Sequence, residues 1–209
     1  MGEHGQYRAL VRFALLVALV WPLGGQAEPL AEAAAAQVGV TLIYDPAYVG
    51  LDFPGGDLPM DRGVCSDVVI RALRQAYDLD LQLVVNRDMK ANFTAYPALW
   101  GLKTTDRNID HRRVPNLETL LTRAGAALPV TSLADDYSPG DIVSFRLTGS
   151  GLAHIGIIAD TRSRDDARPL VTHNIGAGAR TEDMLFDHQI TGHFRLGEAA
   201  LTWLRAAQS

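Results

Sequence analysis

Four short apolar runs in the last third of the chain limit the possible folds more than any other feature of the sequence. They cover residues 142–147, 153–160, 170–175 and 192–196. Turn-forming residues separate the runs, as expected for the strands of a sheet. Parallel neighbours would need crossover segments of about a dozen residues or more, whereas these connections are short. We therefore expect the last third to be all strand, arranged as an antiparallel meander.

Helical patterns dominate the chain before these strands. An alanine-rich segment predicts a short helix at 28–38, and a loop rich in proline and glycine follows at 45–62. Directly after this loop, apolar residues recur with the spacing of a helix that has one buried face. These residues are Cys65, Val69, Ala72, Leu73 and Ala76. The pattern places Cys65 in the first turn of a core helix.

The segment between this helix and the strands is less regular. Residues 79–85 alternate in polarity and predict a strand, and residues 86–97 predict a short helix. A further helix is expected at 116–123, with Asn116 as its N-cap and Gly125 as its stop. The sequence therefore predicts an α+β domain, in which an N-terminal helical half packs on an antiparallel β-sheet.

The N-terminus has the features of a secretory signal peptide. Arg8 and Arg12 precede an uninterrupted apolar run at 13–21, and Gly25 and Ala27 form a small-x-small cleavage site. The run is shorter than the roughly 20 residues that span a bilayer. We expect removal of residues 1–27, a periplasmic or secreted location and no stable membrane insertion afterwards. An uncleaved N-terminal anchor helix is the alternative.

Composition bounds the remaining classes of function. The 209 residues carry a formal net charge of −5 and are 47% hydrophobic, which fits one domain with a proper core at 28–209. The acidic balance gives no support for nucleic-acid binding. A single cysteine and the spacing of His188 and His193 do not fit a zinc site, so we expect no metal and no other cofactor.

Cys65 has two interpretations on the residues alone. At a helix start, unpaired N–H groups and the helix dipole favour an anion, so the thiol pKa should fall below about 8.5 and create an activated nucleophile. Free cysteine is also among the most buried residue types and would fill space in a core. Export favours the nucleophile, because oxidising compartments pair cysteines and this chain offers no intramolecular partner.

A catalytic thiol needs a general base and a group that orients the base. His154 begins its predicted strand and His173 lies on the next, so an antiparallel return would bring them side by side. Successive side chains on a strand point to opposite faces, and therefore only one of His173 and Asn174 can orient His154. We choose His173 and keep Asn174 as the alternative. Taken singly, each histidine would also fit a hydrogen-bonded structural role.

Several motifs resemble known families. The segments 63–67 (Gly-Val-Cys-Ser-Asp), 139–145 (Pro-Gly-Asp-Ile-Val-Ser-Phe) and 154–157 (His-Ile-Gly-Ile) resemble the NlpC-type papain-like cell-wall peptidases. A closer resemblance, over roughly residues 40–197, is to the bacterial domain-of-unknown-function family 1287, which is grouped with those peptidases. It is carried by the segments 44–46, 54–57, 61–65, 106–117 and 173–176.

This resemblance implies a papain-like fold with Cys65 as nucleophile, His154 as base and His173 as the orienting third residue. It implies a cysteine peptidase or amidase that cleaves amide bonds, first of all in peptidoglycan peptides, and we expect it to act as a monomer. One alternative is a non-catalytic wall-binding module on the same scaffold. Another is a thiol acyltransferase or esterase, although the permuted relatives with such activities place histidine before cysteine.

Two features depart from the NlpC pattern. That pattern has aspartate before the cysteine and glycine two residues after it, whereas this chain has Val64 and Asp67. The chain also inserts a long segment before the first sheet strand, including a polar run at 106–116. This run is either a buried polar network that fixes the insert or part of a substrate site that carries His111 and Arg112. Asp67 is a further candidate for substrate contact.

Overall fold

Five α-helices and eight strands make up the described part of the chain, which comprises Met1 and residues 28–209 of a computed structural model. The helices are α1 (Pro29–Ala35), α2 (Cys65–Tyr77), α3 (Leu81–Ala91), α4 (Val114–Arg123) and α5 (Glu198–Gln208). The strands are β1 (Ile43–Tyr44), β2 (Arg62–Gly63), β3 (Ala127–Leu128), β4 (Ile142–Arg146), β5 (Ala153–Arg162), β6 (Pro169–His173), β7 (Arg180–Glu182) and β8 (Gln189–Phe194). Single turns of 3₁₀-helix lie at Phe93–Ala95, Asp110–Arg112 and Ala134–Asp136.

The predicted signal peptide falls, from residue 2 to residue 27, outside the described residues and stays a prediction. Within the part of the chain that is described, none of the helices has the length and apolar character needed to cross a membrane.

Six strands form one antiparallel sheet, in the order β3-β8-β4-β5-β6-β7. The predicted antiparallel sheet and the mixed α+β class are therefore confirmed. The run from β4 to β7 is a meander as expected, but β8 returns across the sheet and pairs with β4, with Phe194 opposite Ile142. A separate parallel pair of β1 and β2 places Tyr44 beside Gly63, two residues before Cys65.

Both faces of the sheet are covered. On one face, Ile155 and Ile157 of β5 pack with α2 in the larger core, together with residues of α1, α3, α4 and α5. On the other face a smaller core contains Val143, Phe145, Ile158, Val171 and Leu185. Because side chains alternate along a strand, His154 lies on this second face and Ile155 on the face that α2 covers.

The prediction of a strand at 79–85 is wrong, because these residues begin the helix α3. The Asp80 carboxylate caps the helix by accepting the N–H of Gln82 at 3.0 Å. Leu81, Val84 and Val85 are buried on the side of the helix that faces the core. Their spacing of three and four residues is that of a helix. This spacing, and not the short alternation of polarity in the same segment, determines the structure.

The other helix boundaries agree with expectation in part. The predicted helices at 28–38 and from Cys65 are confirmed by α1 and α2. α4 begins at Val114, with Arg113 as its N-cap, so Asn116 is not the cap and instead donates its side-chain N–H to the Asp110 carbonyl at 3.0 Å. Gly125 follows the helix with a φ of +76°, where glycine is favoured, as its predicted role requires.

The prediction that the last third is all strand is wrong at its end, where α5 forms. Ala200 and Leu204 bury one side of α5 in the larger core. The Gln208 side chain accepts the N–H of Asp80 at 2.6 Å and so ties α5 to the start of α3. This helix covers apolar surface that the helices before the sheet would otherwise leave open.

Candidate active site

Cys65 is the first residue of α2, as the sequence predicts. The Asp67 carboxylate accepts the N–H of Val64 at 2.7 Å, which satisfies a backbone group that the helix itself leaves without a partner. Cys65 is 6% exposed and lies on an open groove of about 220 Å³. The start of the helix is thus fixed and the thiol is at the edge of a space that a ligand can enter.

A buried ion pair holds the insert against this helix start. Arg112 donates to both Asp67 carboxylate oxygens at 2.9 Å, and its remaining N–H groups reach the carbonyls of Asp45 and Ala47. The Ser66 hydroxyl donates to the Arg112 carbonyl at 2.8 Å. Both partners of the pair are almost completely buried. The structure therefore favours the polar-network interpretation of this run, because these contacts leave Asp67 and Arg112 engaged with each other rather than with a substrate.

His111 also faces the interior. Its side chain is 2% exposed, and Nδ1 has no hydrogen-bond partner among residues 28–209. Burial, reinforced by the cations Arg112 and Arg74, lowers the pKa of His111 to about 3, so the ring is neutral. The proposed substrate contact by His111 has no support in this geometry, because the residue is enclosed by the insert and the helices.

The Cys65 thiol occupies a gap where two strands separate. The β5–β6 ladder ends at the pair Ile157–Thr172, two residues before Ile155 would find a partner. The Ile155 N–H, without a strand partner on this side, is instead directed toward the thiol and favours its anionic form. The sulfur therefore lies at the residue that directly follows His154 in the chain.

The expected lowering of the thiol pKa is wrong for this structure. Burial and, to a smaller extent, the Asp67 carboxylate raise the pKa of Cys65 to about 11, against the N–H groups of Ile155, Ser66 and Cys65, which stabilise the anion. A helix start does supply such N–H groups. Here the loss of water around the charged form outweighs them, so the resting group is a neutral thiol.

The structure brings His154 and His173 into contact. His154 Nε2 lies 3.0 Å from His173 Nδ1, and the two rings are perpendicular. Gly156 lies between them on β5: a Cβ atom added there would come within 3.1 Å of the His173 Cβ and 2.7 Å of Val171. Only a glycine leaves room for the two rings to meet across this position.

Glu182 continues the contact on the next strand, and sequence analysis missed this residue because β7 was not predicted. The Glu182 carboxylate lies 3.2 Å from His173 Nε2, within ion-pairing distance, although the ring N–H is not aligned for a hydrogen bond. His173 is 1% exposed, whereas Glu182 is partly exposed. A row of three side chains, His154, His173 and Glu182, therefore runs along this face of the sheet to the surface.

Both histidines of this row are held neutral. Burial, with a smaller contribution from His173, lowers the pKa of His154 to about 3. Burial also lowers the pKa of His173, against the Glu182 carboxylate, which favours the charged ring. A neutral imidazole can accept a proton, which is the state that a general base requires.

Asn174 has a different contact. Its side-chain N–H donates to the Gly63 carbonyl at 2.9 Å, and its oxygen accepts the N–H of Gly176. It thus anchors the loop before Cys65, and it is His173 rather than Asn174 that touches His154. The catalytic roles of Cys65, His154 and His173 stay predictions.

In the described structure no hydrogen bond joins the Cys65 thiol to the His154 ring. The His154 side chain lies on the sheet face opposite α2 and is not among those that line the groove. The hydrogen bonds of catalytic groups are often long or poorly aligned until a substrate binds. The described residues also contain no cluster of three or more His, Cys, Asp or Glu side chains that would hold a metal ion.

Comparison with known proteins gives a family but no activity. Residues 31–196 match the family described as "Domain of unknown function (DUF1287)". The chain belongs to the DUF1287 family. One relative, described as the uncharacterized protein YijF of Escherichia coli (strain K12), is 57% identical over 166 residues, which cover 79% of this chain and 80% of the relative.

Cys65 lines the groove of this DUF1287 chain together with apolar side chains and arginines. Its lining includes Tyr44, Val64, Trp100, Arg113 and Ala153. Tyr44 is a residue that the sequence analysis missed, and its only signal was its place in the motif at 44–46. Burial raises the pKa of Tyr44, and the charge of Asp67, and of Cys65 when it is ionised, raises it further, so its hydroxyl is a neutral donor beside the thiol.

Proposed function

We propose that this protein is an exported cysteine hydrolase with a papain-like fold of the NlpC type, in which Cys65 attacks the carbonyl carbon of an amide bond. Two features support this most strongly: a groove-lining thiol at a helix start, and a neutral imidazole, His154, with an oriented partner in His173. Peptidoglycan peptides are the first substrates to test, since the resemblance to cell-wall peptidases points to them.

The contacts along the row assign the protons. A carboxylate only accepts, so Glu182 favours a proton on His173 Nε2, and His173 Nδ1 is then an acceptor. His154 must donate from Nε2 to make its 3.0 Å contact with that atom. Nδ1 of His154 is left without a proton and becomes the basic nitrogen, as a general base needs.

The proposed reaction requires His154 to reach the thiol when a substrate binds, because no hydrogen bond joins the two groups in the described structure. As the sulfur bonds to the substrate carbonyl carbon, the thiol proton passes to His154 Nδ1, and the carbonyl oxygen becomes an anion. The N–H of Cys65 at the helix start and the Tyr44 hydroxyl are the donors placed to stabilise that anion. His154 next gives its proton to the departing amine. Water hydrolyses the thioester, which releases the carboxylic acid and restores the thiol.

The experiment is digestion of purified peptidoglycan and its soluble peptides by the protein comprising residues 28–209, with products identified by mass spectrometry. The matched control is Cys65→Ala, purified in parallel, because it removes only the sulfur atom of a small side chain and reports any contaminating hydrolase. We expect new free amines with the native protein and none with the variant. Equal products from both proteins would refute the proposal. Binding of peptidoglycan without any cleavage would support the non-catalytic module instead.

A further inference from the structure

A second cavity lies beside the groove and carries no charge. It has a volume of about 290 Å³, and all eight of its lining residues are uncharged. Its walls are Met89, Phe93, Tyr96, Pro97, Trp100 and Leu102. The cavity is built by the end of α3 and the segment that follows, which belong to the insert that departs from the NlpC pattern.

The walls of this cavity are fixed in place without a ligand. The Tyr96 hydroxyl donates to Asp88 at 2.8 Å, and Arg123 binds the same carboxylate at 2.7 Å. The polar end of Tyr96 is therefore satisfied, and its ring is left as an apolar surface. Burial would raise the pKa of Asp88, but Arg123 and Tyr96 lower it overall, so the carboxylate stays charged and holds the tyrosine.

Trp100 is held on the opposite side. The Arg113 guanidinium lies over its ring, 4.1 Å from the centroid, and Arg113 in turn pairs with Asp110 at 2.9 Å. A bulky aromatic side chain that is 38% exposed is thus clamped by a cation and not free to fold into the cavity. The cavity is preorganised, which lowers the cost of binding.

Trp100 also lines the groove that contains Cys65, so the cavity and the groove share a wall. A ligand whose reactive carbonyl lies at the thiol has an apolar space within reach of the next part of its chain. A cavity of about 150 Å³ is enough for benzene. A space of about 290 Å³ therefore has room for an aromatic ring or an alkyl chain of several carbons.

We propose that this cavity is a binding site for an apolar group of the substrate, an aromatic ring or medium-length alkyl chain attached to the carbonyl that Cys65 attacks. The inference rests on the proposed function for the identity of the reaction, and on the lining alone for the chemistry of the group. The charged side chains of peptidoglycan peptides would lose water in such a lining without gaining a partner. The substrate class is therefore an amide with an apolar acyl portion.

Two series of compounds test this. The first is alkylation of Cys65 by iodoacetamides with N-alkyl chains from methyl to octyl, with each rate constant divided by that for free cysteine. The second is kcat/KM for anilides with acyl groups from acetyl to octanoyl. Burial of each added methylene is expected to raise both quantities about fourfold until the cavity is full. The inference would be overturned if neither the alkylation rate nor kcat/KM changed with chain length.

Ala98→Phe is the variant and Ala95→Phe the matched control. Both alanines are exposed, so the fold should tolerate the larger side chain, and only Ala98 lines the cavity. We expect Ala98→Phe to reduce the gain from methyl to octyl to less than twofold in total and Ala95→Phe to retain it. Retention of the full gain by both variants, with unfolding midpoints matching the native protein, would overturn the assignment to this cavity.

The two proposals fail in distinguishable ways. Alkylation reports the space beside the thiol and needs no catalysis, so a chain-length gain there without hydrolysis of any amide would refute the proposed function and keep the cavity site. Faster cleavage of peptidoglycan peptides than of octanoyl anilide would keep the proposed function and overturn the apolar site.

Discussion

The protonation of Cys65 gives the sharpest test of the site, because its environment reverses what a helix start alone predicts. Burial raises the pKa of the thiol to about 11, against about 8.5 for free cysteine. At pH 7.5 the thiolate would then be about 3 parts in 10,000 of Cys65, compared with about one part in ten of free cysteine, a ratio of about 300. A neutral small reagent such as iodoacetamide should therefore label the native protein far more slowly than it labels free cysteine.

The pH dependence separates protonation from access. Restricted access lowers the rate by the same factor at every pH, whereas protonation fixes where the rate stops rising. We expect the rate of iodoacetamide labelling, followed by intact mass, to rise about tenfold per pH unit from pH 6 to pH 9.5 without a plateau. Since the sequence contains a single cysteine, no other thiol contributes to the signal.

His154→Ala is the control for an ion pair. A neutral imidazole does not stabilise a thiolate, so this variant should show the same rising profile as the native protein. A native plateau with a midpoint below 8.5 that moves upward in His154→Ala would refute the reasoning. It would show that a thiolate and an imidazolium already exist in the resting protein.

Four further predictions concern the residues around this thiol. His173→Ala should lower turnover much more than Asn174→Ala at matched stability, because His173, unlike Asn174, contacts the proposed base His154; the reverse ranking in steady-state assays would reject that orientation. Glu182→Gln should lower kcat more than it changes KM and shift the pH profile of kcat, since an amide can donate to His173 Nε2 and reverse the proton order; an unchanged profile contradicts this. Gly156→Ala should cost about 1–3 kcal/mol of unfolding free energy in urea, because its Cβ would overlap Val171; a neutral result would mean that the strands adjust. His111→Leu should flatten the loss of stability on acidification. In the folded protein the pKa of His111 is lowered to about 3. Stability is therefore full above pH 6.5 and falls by about 1.4 kcal/mol per pH unit as the pH drops toward 3. Equal pH slopes of the unfolding free energy for the native protein and the variant, from urea unfolding at pH 6, 5 and 4, would contradict this.

The elements that were predicted correctly are those whose residue pattern fits only one type of secondary structure. α2 has a long apolar stripe, and β4 to β6 are apolar runs between turns, so local pattern and tertiary burial agree. Residues 79–85 fit two periods at once, and the choice between them depends on a core that only the folded chain supplies. The same holds for α5, whose buried face meets partners from distant parts of the chain.

The site shows the same division. The contact of His154 with His173 follows from the alternation of side chains along a strand. Ile158 lies opposite Val171, so His154 and His173, which share their faces, lie on the same side of the sheet. Glu182 was not predicted as part of the site because β7 is a three-residue strand without apolar residues, formed by pairing with β6. The raised thiol pKa was also not predicted, because desolvation depends on the residues that surround Cys65 in the folded protein and not on the local sequence.

The neutral thiol also resolves a difficulty that the predicted export creates. The thiolate, rather than the thiol, is the form that oxidants and disulfides attack, so a lone exposed thiolate would be short-lived in an oxidising compartment. Cys65 is 6% exposed and carries a raised pKa, so it is protected while the groove is empty. Activation would then occur only when a bound carbonyl accepts the sulfur while His154 accepts the proton. The absence of a second cysteine removes an internal oxidation partner. In the proposed reaction, the buried thiol would become reactive only once a substrate is bound.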